Sequence, residues 1–176
     1  MIALLGLTVG LHHVDRPLGR LEMQARDRGV AVGIATALPV TIARLADWAK
    51  KVEGRGFVLV PITSVAIFRL IEEGRLGLGD RVLGREGILG ETYGKIESER
   101  LRAITVDHLL THTAGGWPND GTDPMFRTPE ADLKTLIETT IAFHPPRGDP
   151  GTYFAYSNFG YCLLGRVIEV RRSLEP

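Results

Sequence analysis
The chain has 176 residues, 44% hydrophobic and 24% charged, which suits one globular domain with a real core and is too short to presume two. Lysine plus arginine equals aspartate plus glutamate at 21 each, so no net field draws the chain to nucleic acid or an anionic membrane. A single cysteine, Cys162, excludes an intrachain disulfide, and among apolar neighbours it reads as a small core residue rather than a reactive thiol.

The first nine residues are mostly apolar. They lack a basic start, are too short to span a bilayer, and run into His12-His13-Val14-Asp15 instead of a small-residue cleavage site. A frayed or core-packed N-terminus is the reading, with a partial signal peptide as the alternative. The compartment stays open, cytoplasm ahead of periplasm or secretion. Residues 10–28 are polar and arginine-rich and read as loop or loosely held helix. The apolar run at residues 30–37, between Gly29 and Pro39, fits a buried strand. From Thr41, the positions Ile42, Leu45, Trp48 and Val52 recur at helical spacing until Gly54. Residues 57–60 favour strand, and Pro61 then opens a helix that runs to Glu73 and stops at Gly74.

Residues 74–100 hold many glycines and little periodicity, so they read as turns. Thr105 is placed to cap a helix over residues 106–112. Residues 114–128 are loop by composition. Thr128-Pro129-Glu130 has the form of a helix start, after which Leu133, Leu136, Ile137 and Ile141 line one face until Pro145 and Pro146. Beyond Tyr156-Ser157-Asn158, the residues Phe159, Leu163, Val167 and Val170 define a last helix.

Four blocks carry chemistry, in this order. They are Pro61-Ile62-Thr63-Ser64, opening a helix; Thr111-His112-Thr113-Ala114-Gly115; Trp117-Pro118-Asn119-Asp120; and Pro150-Gly151-Thr152, leading to Tyr156-Ser157-Asn158. Together they resemble the serine β-lactamase, DD-peptidase and esterase family, in its class C β-lactamase-like form. The resemblance covers about Pro61 to Glu169 and fades before Gly54, so residues 1–54 form a poorly matched segment and residues 55–176 a partial family-like domain. It implies an α+β, mostly helical fold, like the family's helical lobe with most of the β-sheet missing. It also implies hydrolysis of β-lactam, ester or D-Ala-D-Ala peptide bonds through an acyl-enzyme, with no cofactor and no metal. Tyr156 would relay a proton, and Asn158 would hold substrate. The alternative for this turn is structural, with Ser157 and Asn158 capping the last helix and Tyr156 packing on it.

That chemistry needs a serine and a lysine one helical turn apart, so that the amine helps remove the hydroxyl proton. Relatives place Ser-x-x-Lys directly before the Pro61 segment, where this chain has Val58-Leu59-Val60. The four lysines are Lys50, Lys51, Lys95 and Lys134, and the residues three positions earlier are Asp47, Trp48, Thr92 and Ala131. No Ser-x-x-Lys exists. Thr92 and Lys95 have the spacing, but Gly94 between them argues for a turn. Ser64 is the doubtful substitute nucleophile, since Ile67 rather than an amine follows one turn on. No Lys/His-Ser/Thr-Gly follows Asn158. The expectation is therefore an impaired family member, and the alternative is a non-catalytic fragment or degenerate paralogue with at most a binding role.

Weaker constellations read as structural. His108 and His112 have the spacing of a zinc-protease pair, but Leu109 stands where that motif has its glutamate. Asn119, Asp120 and Asp123 suggest a solvated turn rather than a calcium loop, and His12-His13 makes no metal site. Expected partners are a small ester, lactam or peptide, with no nucleic acid and no membrane span. Helix faces that lack their sheet would self-associate.

Overall fold
The computed structural model describes residues 2–4, 15–29, 31–33, 39–127 and 130–173. His12, His13, Thr128 and Pro129 lie outside them. The chain divides into two compact units, Met1–Ala66 and Ile67–Pro176.

In the first unit, strands β1 (Ile2–Leu4), β2 (Ala31–Gly33) and β3 (Leu59–Val60) make one parallel sheet in the order β2-β1-β3. Ile2 pairs with Ala31 on one side and Leu59 on the other. Parallel neighbours need long connections, and these contain helices α1 (Asp15–Arg28) and α2 (Pro39–Val52). The apolar start thus includes the central strand. Residues 10–28, expected as loop or loose helix, supply a fourteen-residue helix. Its arginines mask the pattern, yet Leu18, Leu21 and Ala25 fall three and four apart and are all buried. They pack with Ala31, Trp48, Val52 and Phe57. Trp48 donates its ring N–H to Glu22 at 2.7 Å, and the Arg26 guanidinium lies 5.4 Å from the centre of the Phe57 ring.

Helix α3 (Ile62–Glu72) follows Pro61, and the division between the units falls within it. Gly74 ends it in the left-handed region at φ 69°, where Gly74 N–H reaches Ile71 O and Arg75 N–H reaches Leu70 O, both at 2.9 Å. The glycine-rich stretch that follows is turns, as expected, but it is tied into the core. Val82 N–H donates to Ile104 O and Leu89 N–H to Val82 O, each at 2.9 Å, and Val82, Leu83, Leu89 and Ile96 are buried.

Helix α4 (Glu99–Ala103) is a five-residue element that the sequence did not announce. Thr105 caps α5 (Val106–Leu110) as expected, and His108 completes the box by accepting the Thr105 N–H on Nδ1 at 3.2 Å. A short helix α6 (Pro124–Arg127) interrupts the expected loop. Helix α7 (Leu133–Phe143) starts later than Thr128-Pro129-Glu130 implied. Asp132 is the actual cap, taking the N–H and hydroxyl of Thr135 at 3.1 and 2.7 Å. With both bonds accepted by one carboxylate, the helix is capped at Asp132.

The last helix, α8 (Asn158–Arg172), packs against α5. Its Phe159, Leu163, Leu164 and Val167 have no solvent exposure, each burial contributing roughly 1.5–3 kcal/mol. The described chain is mostly helical with three short strands, all in the first unit. No helix among the described residues is long and apolar enough to cross a membrane.

Candidate functional site
Where α5 ends, His112 takes a left-handed backbone conformation, φ 57°. Such a conformation costs a non-glycine residue on the order of 1 kcal/mol and persists only where its surroundings hold it. Here two bonds do so: His112 O accepts from Ala155 N at 2.8 Å, and His112 Nδ1 accepts from Ser157 N at 3.1 Å. The histidine therefore grips the chain on both sides of Tyr156. Its ring lies 4.4 Å from that of Tyr156 and 4.8 Å from that of Tyr161, with Phe154 edge-on at 5.8 Å. Burial lowers the affinity of the imidazole for a proton below the ordinary histidine value, which suits an Nδ1 lone pair that accepts.

The two motif blocks are laced together further along. Gly151 N–H donates to Thr113 O at 2.8 Å, Gly148 N–H to Gly115 O at 2.9 Å, and the Tyr153 hydroxyl to Gly115 O at 2.7 Å. Gly115 has φ 84°, and a Cβ there would stand 2.3 Å from Gly148 O, so only glycine permits this approach.

Tyr156 is presented rather than packed away. It is 49% exposed, and its hydroxyl has no hydrogen-bond partner among the described residues. Its carbonyl takes the Asn119 N–H at 2.7 Å, which draws the 117–123 loop against the turn. Ser157 is buried and is the helix cap, its Oγ accepting from Gly160 N at 3.0 Å. Asn158 does not share that task. Its amide nitrogen donates to Asn119 Oδ1 at 3.0 Å and to Asp123 Oδ2 at 2.8 Å. Asp123 is fully buried and also takes Met125 N–H at 2.9 Å, so it is no solvated turn residue. The Asp120 carboxylate binds Thr122 through its N–H and hydroxyl, which lower its proton affinity.

Ser64 lies in the first unit, early in α3, at 6% exposure, and the wholly buried Ile67 follows one turn on. Thr92 sits in a turn that closes at Gly94, Lys95 follows it, and Lys95 is engaged by Glu97 at 2.9 Å. Burial pushes the Cys162 thiol up to about 11. Among the described residues no group of three His, Cys, Asp or Glu is placed to hold a metal. A cleft of about 710 Å³ shares Trp117 and Tyr153 with this region, but neither Tyr156 nor Asn158 lines it.

Reading motifs singly missed the tie from His112 to Ser157 and that from Asp123 to Asn158. The adjacency of the His-Thr-Ala-Gly and Tyr-Ser-Asn blocks within the resemblance was the only available signal for the first.

The beta-lactamase family profile matches residues 61–175, the stretch containing all four blocks. The chain belongs to the beta-lactamase family. A second profile, that of divergent polysaccharide deacetylases, matches residues 8–66, largely the unit with the parallel sheet. Among relatives, a probable fimbrial assembly protein FimD, serogroup H1, of Dichelobacter nodosus is 33% identical over 113 residues, covering 61% of this chain and 26% of that protein. The protein flp of Staphylococcus aureus strain COL is 33% identical over 108 residues, covering 61% of this chain and 20% of its own length. The chain thus matches about a quarter or less of these relatives.

Proposed function
We propose that this family member is a serine hydrolase relative whose acyl transfer, on β-lactam, ester or D-Ala-D-Ala peptide bonds, is impaired. One observation carries the reading. Directly before Pro61 stands Val58-Leu59-Val60, and its last two residues form β3, paired with β1. Position 60 therefore lies in a strand and not one helical turn beyond position 57, whereas an activated serine needs its lysine on the next helical turn. The deacetylase-like match to residues 8–66 supports the same view, because the segment before the family's shared helix is similar to a different family. Ser64 remains the doubtful nucleophile, with an apolar Ile67 where an amine is needed.

The second reading is a non-catalytic, degenerate paralogue or fragment that binds a family-type ester, lactam or peptide, or a partner. The exposed hydroxyl of Tyr156, unpaired among the described residues, supports it. Phe126, Phe143 and Phe154, at 69%, 75% and 68% exposure, support self-association.

The test is to incubate folded chain with a fluorescent penicillin and, separately, a fluorophosphonate, and to read intact mass. No adduct is expected. Covalent label on any serine, Ser64 included, overturns the impaired reading.

A further inference from the structure
The Asn158 amide has only one orientation that its neighbours accept. An amide nitrogen carries two hydrogens, and both are used inward, on Asn119 Oδ1 at 3.0 Å and Asp123 Oδ2 at 2.8 Å. Reversing the amide would set its oxygen against the Asp123 carboxylate, which accepts only, with no hydrogen between them. It would also leave a buried carboxylate with one bond fewer, a costly state. Asn158 Oδ1 has no partner among the described residues. The buried unpaired side-chain atoms there are Arg166 Nε and Arg171 Nε, so Asn158 Oδ1 is open to solvent.

We propose that Asp123 is a positioning residue that locks the Asn158 carbonyl outward, so that this turn offers a ligand an acceptor and no amide donor. The matching ligand group is an ammonium or other N–H donor. This rests on the role that the family resemblance implies for Asn158, that of holding substrate, within the ligand-binding reading above. Asp123 reaches no ligand itself. It acts through the amide, and its burial at 0% exposure keeps water from competing for the bond.

The test needs no turnover, so its failure is distinct from failure of the hydrolase reading, which covalent labelling reports. The chain has three carboxamide side chains, Gln24, Asn119 and Asn158, whose NH₂ signals single substitutions assign in a nitrogen–proton correlation spectrum of the full chain. Both Asn158 hydrogens should exchange at least roughly tenfold more slowly than those of the exposed Gln24. In Asp123→Asn the new amide can donate, turning Asn158 round, and that protection should vanish. Should this variant not fold, the native chain still decides through the exchange of its Asn158 hydrogens against those of Gln24. Propylammonium should perturb Asn158 in the native chain, and acetate should not. Native Asn158 hydrogens exchanging as fast as those of Gln24, or a response to acetate instead of propylammonium, overturns the proposal.

Discussion

Ser157 donates its backbone N–H to Nδ1 of His112 at 3.1 Å, joining residues 45 apart in the sequence. The bond requires the unprotonated nitrogen, so the turn carrying Tyr156 is coupled to the charge on one imidazole. Three aromatic rings surround that imidazole, and burial disfavours its cationic form.

Acid should therefore loosen the turn. The folded chain binds this proton less readily than the unfolded chain, so stability is fully present above the ordinary histidine value of about 6.5. It is lost as pH falls through that value towards the lower folded one. Urea midpoints between about pH 8 and about pH 5 should fall more steeply for the native chain than for His112→Asn, whose residue tolerates the left-handed backbone. Parallel profiles would exclude the coupling.

Replacing Ser157 by alanine should cost about 1 kcal/mol, and up to about 2, because the Gly160 N–H loses its acceptor. Equilibrium urea unfolding measures this directly. An unchanged midpoint would mean that water or another group supplies the bond.

Cys162 should be nearly inert while the chain is folded. With the thiol pushed up to about 11, the thiolate at neutral pH is a minute fraction. A colorimetric disulfide reagent should react slowly with native chain and rapidly after denaturant is added. Fast native reaction would show that the thiol is neither buried nor shifted.

Installing the missing pair as Phe57→Ser with Val60→Lys should not restore acylation. Phe57 is buried at 6% exposure beneath Arg26, so the change should cost about 3 kcal/mol or more. Val60 lies in β3, where a lysine has no helical neighbour three residues back. Intact mass after penicillin treatment should show no adduct, and one at residue 57 would mean that this segment refolds as helix.

The elements that could be read from the chain are those whose causes are local. Pro61 at the head of α3, Gly74 at its end, Thr105 before α5 and Ser157 before α8 each act over about one helical turn, so a short window contains donor, acceptor and stop signal. The absence of a serine–lysine pair was equally legible, being a matter of residue identity and spacing. Residues 2–4 did not announce a central strand, because a strand is defined by partners, here residues 31–33 and 59–60. Asp123 looked like a wet turn until packing removed its water and gave it Asn158. His112 carries no sign of a left-handed backbone in its neighbours, since that conformation is held by bonds to Ala155 and Ser157. The amino-acid order by itself settled the helix ends at Pro61, Gly74, Thr105 and Ser157, the family blocks and the missing pair, because those depend on contacts within a few residues. Which carboxylate is buried, which ring grips the turn and which way an amide points were decided only when distant segments met, since burial and unpaired donors exist only in the assembled chain.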